Sequence, residues 1–172
     1  VFFSHQWLGY KAPDKNNKQF DIMVAATRAL ATKQSLELDK VFVWCDYFSI
    51  AQESKLIQKY AILSLPAVAS TLHAFVVIAP DALHIDGAGD CNLSTYKKRG
   101  WCRAEVMSHV SRRGTKNLYT CTKVGELRCV EDDAPSNSLT AETAETDDLE
   151  NGLTSLRLPH DRRSTNSKNG KY

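Results

Sequence analysis

The chain has 172 residues, 42% of them hydrophobic and 24% charged, with a formal net charge of +2. That length suits one domain with a core of its own and leaves little room for a second. No apolar run approaches the roughly 20 residues of a membrane-spanning helix, no charged-then-apolar leader opens the chain, and no dense Lys/Arg stripe interleaved with aromatics marks a nucleic-acid surface.

These features lead us to expect a cytoplasmic protein with no membrane partner and no nucleic-acid partner. The charge is unevenly spread: residues 1–130 hold 17 Lys and Arg against 11 Asp and Glu, whereas residues 131–172 hold 5 against 9. Nearly every long apolar run precedes Val130. The expected organisation is therefore an α/β domain over residues 1–130 and an acidic, then polar, largely disordered tail over 131–172. Cys45, Cys91, Cys102, Cys121 and Cys129 are odd in number and include no Cys-x-x-Cys pair, so free thiols in a reducing compartment are expected. Val1 already lies within an apolar run and is not Met, which suggests a fragment lacking its native N-terminus.

Val1-Phe2-Phe3 meets polar residues at Ser4-His5-Gln6, as where a buried strand emerges from a sheet. Trp7 to Asn17 reads as a loop, with Gly9 and Pro13-Asp14 as breakers. From about Lys18 to Leu36, Phe20, Met23, Val24, Thr27, Leu30 and Ala31 recur at helical spacing. Val41 to Cys45 reads as a second strand, buried on both faces because its apolar run is continuous. Glu53 to Ser64 carries Leu56, Ile57, Tyr60 and Leu63 at helical spacing. Pro66, without an amide hydrogen, is expected to end or kink that helix, with a short second piece reaching Leu72.

Ala74 to Ile78 is the third apolar strand, stopped by Pro80, and a polar loop with Gly87 and Gly89 runs to about Tyr96. A helix is expected from Arg99 to Arg112, closed by Gly114, and then a hairpin of Leu118–Cys121 and Leu127–Val130 turning at Val124-Gly125. Strands alternating with helices predict a mostly parallel sheet covered on both faces. Ligands of such sheets bind beyond the carboxyl ends of the strands, here Ser4-His5, Asp46-Tyr47 and Ala79-Pro80.

No dinucleotide Gly-rich fingerprint, P-loop or nucleophile elbow is present. The five histidines stand at no metal-ligand spacing from the cysteines, so no metal is expected. Three segments remain. Val1 to Trp7 resembles the opening strand of Toll/interleukin-1 receptor (TIR) domains. Val41 to Gln52, with Trp44-Cys45-Asp46 and then Ile50-Ala51-Gln52, resembles the Trp-Ile/Val-Asp-x-x-Cys-Ile-x-Gln segment of fungal heterokaryon-incompatibility (HET) domains. Tyr96 to Glu105 resembles both the TIR pattern Ser-x-Trp-Cys-x-x-Glu and the HET pattern Arg-Ala/Gly-Trp-x-x-x-Glu.

The resemblance implies a flavodoxin-like fold, with the first strand between the second and third, and makes Glu105 the counterpart of the glutamate that hydrolyses NAD in TIR enzymes. The nicotinamide of NAD is a cationic leaving group that departs neutral, so one carboxylate that stabilises the oxocarbenium ion, or attacks it, would suffice. Ser4, His5, Trp7, Asp46, Trp101 and Cys102 are then the expected walls of an NAD pocket, with no permanently bound cofactor.

Simpler roles stand beside these. Glu105 would be an exposed helix residue paired with His109, Trp101 and Cys102 helix core, His5 a satisfied strand-end histidine and Asp46 a turn cap. Two functions follow: a TIR/HET-like NAD-hydrolysing signalling domain, or a non-catalytic, self-associating interaction module of immune or cell-death signalling.

Overall fold

The computed structural model describes residues 1–87 and 89–132. They form a five-stranded, mostly parallel sheet with helices on both faces. Strand β1 (Phe2–His5) lies between β2 (Trp44–Cys45) and β3 (Phe75–Ile78), parallel to both, and β6 (Leu118–Cys121) continues the parallel set beyond β3. A last strand, β7 (Arg128–Cys129), turns back antiparallel to β6 after Gly125, whose φ of 80° suits glycine. The expected central place of β1 and the edge hairpin are both present.

Every residue of β1 and β3 is buried, as continuous apolar runs require when both faces are covered. Alternation sends Phe3, Val76, Ile78, Tyr119 and Cys121 to one face, where Ile22, Met23, Ala26 and Leu30 of α1 (Lys18–Lys33) cover them. Phe2, Ser4 and Phe75 point to the other face. There Phe75 meets the ring of His109 on α5 (Gly100–Arg113), and α3 (Lys55–Thr71) packs on α5. Gly114, at φ 62°, closes α5 as expected.

The second strand is shorter than expected: only Trp44 and Cys45 join the ladder, and Phe42 is 83% exposed. As the edge strand of the sheet, β2 is paired on one side only, by β1.

The helix expected to stop or kink near Pro66 runs through it as a single element, α3. Pro66 removes one intrahelical hydrogen bond, while Leu65 and Ala69, both fully buried, anchor the turns on either side of it. The inward stripe of α3 is Leu65 and Ala69, both buried, with Ala61, Ile62 and Val68 half-buried beside them, so Leu56, Ile57, Tyr60 and Leu63 face outward instead.

The segment expected to be a polar loop holds a small hairpin, β4 (Ala82–Leu83) with β5 (Asp90–Cys91), and a short helix, α4 (Leu93–Lys98). Asn92 accepts from the Thr95 amide and Thr95 from the Asn92 amide, a reciprocal cap of the helix start. All five cysteines are free and buried. Among the described residues no helix is long and apolar enough to cross a membrane. The expected disordered tail lies, from residue 133 onward, outside the described residues.

Candidate functional site

Side chains alternate along β1, and this divides the residues expected to line one pocket. Ser4 and His5 are neighbours in sequence but project from opposite faces of the sheet. Each organises its own polar cluster at the carboxyl end of the strand.

On the α5 side, the Ser4 hydroxyl donates to Glu105 Oε2 and lies 2.5 Å from the Tyr96 hydroxyl. Since the carboxyl accepts from Ser4, the Tyr96 hydroxyl is free to donate to Ser4, completing a relay from Tyr96 through Ser4 to Glu105. The relay is closed to solvent: Tyr96, Ser4 and Glu105 are all buried, Glu105 with 3% of its surface exposed. Burial pushes the Glu105 carboxyl up to about 8, against the opposing bond from Ser4, so it is mostly protonated at neutral pH. The reading of Glu105 as an exposed partner of His109 is therefore corrected. His109 points instead to the carbonyls of Ala69 at 3.2 Å and Lys116 at 3.4 Å, and is itself fully buried.

On the α1 side, His5 Nε2 is 2.9 Å from Asp46 Oδ1 and 3.4 Å from Cys45 Sγ. His5 Nδ1 is 2.9 Å from Gln19 Oε1. Trp7 donates its indole N–H to Asp46 Oδ2 at 2.9 Å, and the Tyr47 amide donates to Asp46 Oδ1 at 2.6 Å. Burial alone would depress the His5 imidazole, but its bonds to Asp46 and Cys45 prevail and hold it well above the ordinary histidine range. Burial likewise pushes the Asp46 carboxyl up, and the bonds from His5, Trp7 and Tyr47 bring it below its ordinary value. Asp46 thus opens the short helix α2 (Asp46–Ser49), accepts the Tyr47 amide at its start and also pairs with His5.

Cys102 is buried on α5 beside the backbone of β1, its thiol 3.9 Å from the His5 carbonyl, and burial raises it well above the usual thiol range. Trp101 is half-buried one residue earlier and joins neither cluster. Trp7 commits its N–H to Asp46 and sets its ring edge-on to Tyr47.

An open cleft of about 210 Å³ lies beside these clusters, lined by Gln6, Tyr10, His84, Asp90, Cys91, Thr95 and Arg99. Gln6 and Arg99 lie within the segments that carry the resemblance, but none of the lining residues was expected to form a pocket. Only the folding of the β4–β5 hairpin and α4 beside the end of β1 brings them together. Gln6 links the cleft to its surroundings by donating to Thr95 Oγ1 and the Asn92 carbonyl, each at 3.1 Å.

Gln19, central to the His5 cluster, also went unrecognised. Its position on the buried face of α1 is legible from helical spacing, since a fully buried glutamine must have partners. No family model, curated protein or solved structure matches this chain.

Proposed function

We propose that this chain is a TIR/HET-like signalling domain that acts by association, as an interaction module. The observation that carries this reading is the outward face of α3, where Leu56, Ile57, Tyr60 and Leu63 are each between 56% and 66% exposed. Apolar side chains concentrated on two helical turns mark association surfaces, because monomers rarely leave such patches uncovered. The motif segments and the parallel strand set β2-β1-β3-β6 support the domain type. The expected partner is a second copy of the chain.

Sedimentation over a range of concentrations tests this. The wild type is expected to associate, and Leu56→Asp with Leu63→Asp to weaken association at least about tenfold, the loss that roughly 1.4 kcal/mol produces. The double variant changes only exposed positions, so its circular dichroism should match the wild type. A wild type that is monomeric at every concentration excludes self-association.

One observation favours a second reading, hydrolysis of NAD through Glu105. A carboxyl held near pH 8 by burial at the end of a central strand is the kind of perturbed group found at active sites. Substrate would have to open the closed relay and leave the carboxyl ionised. Nicotinamide release is then expected to rise with pH toward 8, and Glu105→Gln to lower it several-hundredfold, the scale of a lost transition-state charge contact. No release by the wild type, or equal release by both proteins, excludes this role.

A further inference from the structure

We propose that His5, Cys45 and Asp46 form a binding site for a divalent ion of the zinc class at the carboxyl ends of β1 and β2. Sequence spacing conceals the site because His5 and Cys45 stand 40 positions apart. The β1–β2 register pairs Phe3 with Cys45, and alternation places His5 on the same face as Phe3, diagonally beside the thiol.

The donor atoms already approximate one face of a tetrahedron. Cys45 Sγ is 3.4 Å from His5 Nε2 and 3.7 Å from Asp46 Oδ1, and His5 Nε2 is 2.9 Å from Asp46 Oδ1. Zinc bonds of about 2.0–2.3 Å at tetrahedral angles require edges of roughly 3.4–3.6 Å. Two edges therefore fit as they stand. The third would open by about 0.5 Å as an ion with bonds of about 2.0 Å takes the place of a shared proton.

The surrounding residues aim these donors at a common point. Gln19 donates its amide to the Gln6 carbonyl at 2.8 Å, which turns its own oxygen toward His5 Nδ1. That oxygen can only accept, so Nδ1 keeps its proton, and Nε2 is the nitrogen that meets the ion once its own proton is displaced. Trp7 holds Asp46 Oδ2 and leaves Oδ1 facing the cluster, where it also accepts the Tyr47 amide. Partners of this kind behind each ligand fix the orientation of metal-binding side chains.

A sulfur, a nitrogen and an oxygen favour zinc or cobalt over calcium and magnesium, which take oxygen ligands. Binding would displace the thiol proton of Cys45 and any proton on His5 Nε2, both passing to solvent. Three protein ligands leave a fourth position for water or substrate, as in catalytic zinc sites. The Asp46 side chain, 20% exposed, marks the side open to solvent.

Titrating Co²⁺ into the metal-free chain and recording its absorption tests the site. The expected result is one ion per chain, a thiolate-to-cobalt charge-transfer band and intense tetrahedral d–d bands. Cys45→Ala should abolish the charge-transfer band, while Cys129→Ser, which alters a thiol elsewhere in the core, should keep it. Trp7→Phe, which removes the bond behind Asp46, should weaken binding about 10–100-fold. Should Cys45→Ala fail to fold, Cys45→Ser and the wild-type spectrum remain decisive. A wild type without the charge-transfer band, or a band that survives replacement of Cys45, overturns the proposal and leaves His5 and Asp46 as a buried ion pair only.

Discussion

Replacing Glu105 with Gln is expected to stabilise the domain by about 3 kcal/mol at pH 7, measured by urea denaturation. The carboxyl titrates at about 8 in the folded chain against an ordinary value of 4.5. Between those values the unfolded chain has lost its proton while the folded chain keeps one. Stability must therefore fall as pH rises from about 4.5 to 8, by about 1.4 kcal/mol per unit, and level off above that range. Gln is neutral throughout and can still accept the Ser4 hydroxyl, so its contribution lacks this slope. The gap between variant and wild type should be small near pH 4.5 and widest at pH 8 and above. Parallel curves from pH 5 to 8 would show that Glu105 is ionised in the folded state. A large stabilisation would mean that the wild-type acid is retained at a cost, as functional groups often are.

Asp46→Ala is expected to act in the opposite direction, costing about 3–5 kcal/mol in a buffer with chelator, since removing one member of a buried ion pair strands the other. His5 would lose the carboxylate that supports its charge, and Trp7 its acceptor. The melting temperature should fall by about 10 °C or more. Asp46→Asn keeps an oxygen for the Tyr47 amide and should cost less. In a double-mutant cycle, adding His5→Gln to Asp46→Ala should recover part of the loss, because no imidazolium then remains unpaired. A change below about 1 kcal/mol for Asp46→Ala would place the pair among weak surface bridges.

These two expectations concern the partners of Ser4 and His5, neighbouring residues of β1, and the separation of the two clusters shows how far the chain could be read in advance. The apolar runs at Phe2 and Phe75 specified parallel strands buried on both faces, whereas the run from Val41 to Cys45, expected to be buried in the same way, gives only a two-residue edge strand with Phe42 and Val43 exposed. The spacing of Met23, Leu30 and their neighbours specified α1, and Gly114 the end of α5. The capping pair Asn92 and Thr95 was not read in advance, because the polar residues around it resemble a loop.

Helical spacing showed that α3 is apolar but not which side would be covered. Leu56, Tyr60 and Leu63 form as regular a stripe as Ala61, Leu65 and Ala69. The choice between them was made by α5, which packs against the second stripe. A one-dimensional pattern records the period of an element, whereas its partner sets the phase that is buried.

The sequence by itself determined the types of the main elements, the central place of β1, and the polar residues that would gather at the strand ends. Tertiary structure alone decided how those residues combine. The two faces of β1 assign Ser4 to Glu105 and Tyr96, and His5 to Gln19, Cys45 and Asp46. The physical reason is that side-chain alternation is local, while hydrogen bonds, burial and proton affinity depend on what other segments bring to each face. For that reason Glu105, expected to line an open pocket, is instead a buried acid held by Ser4.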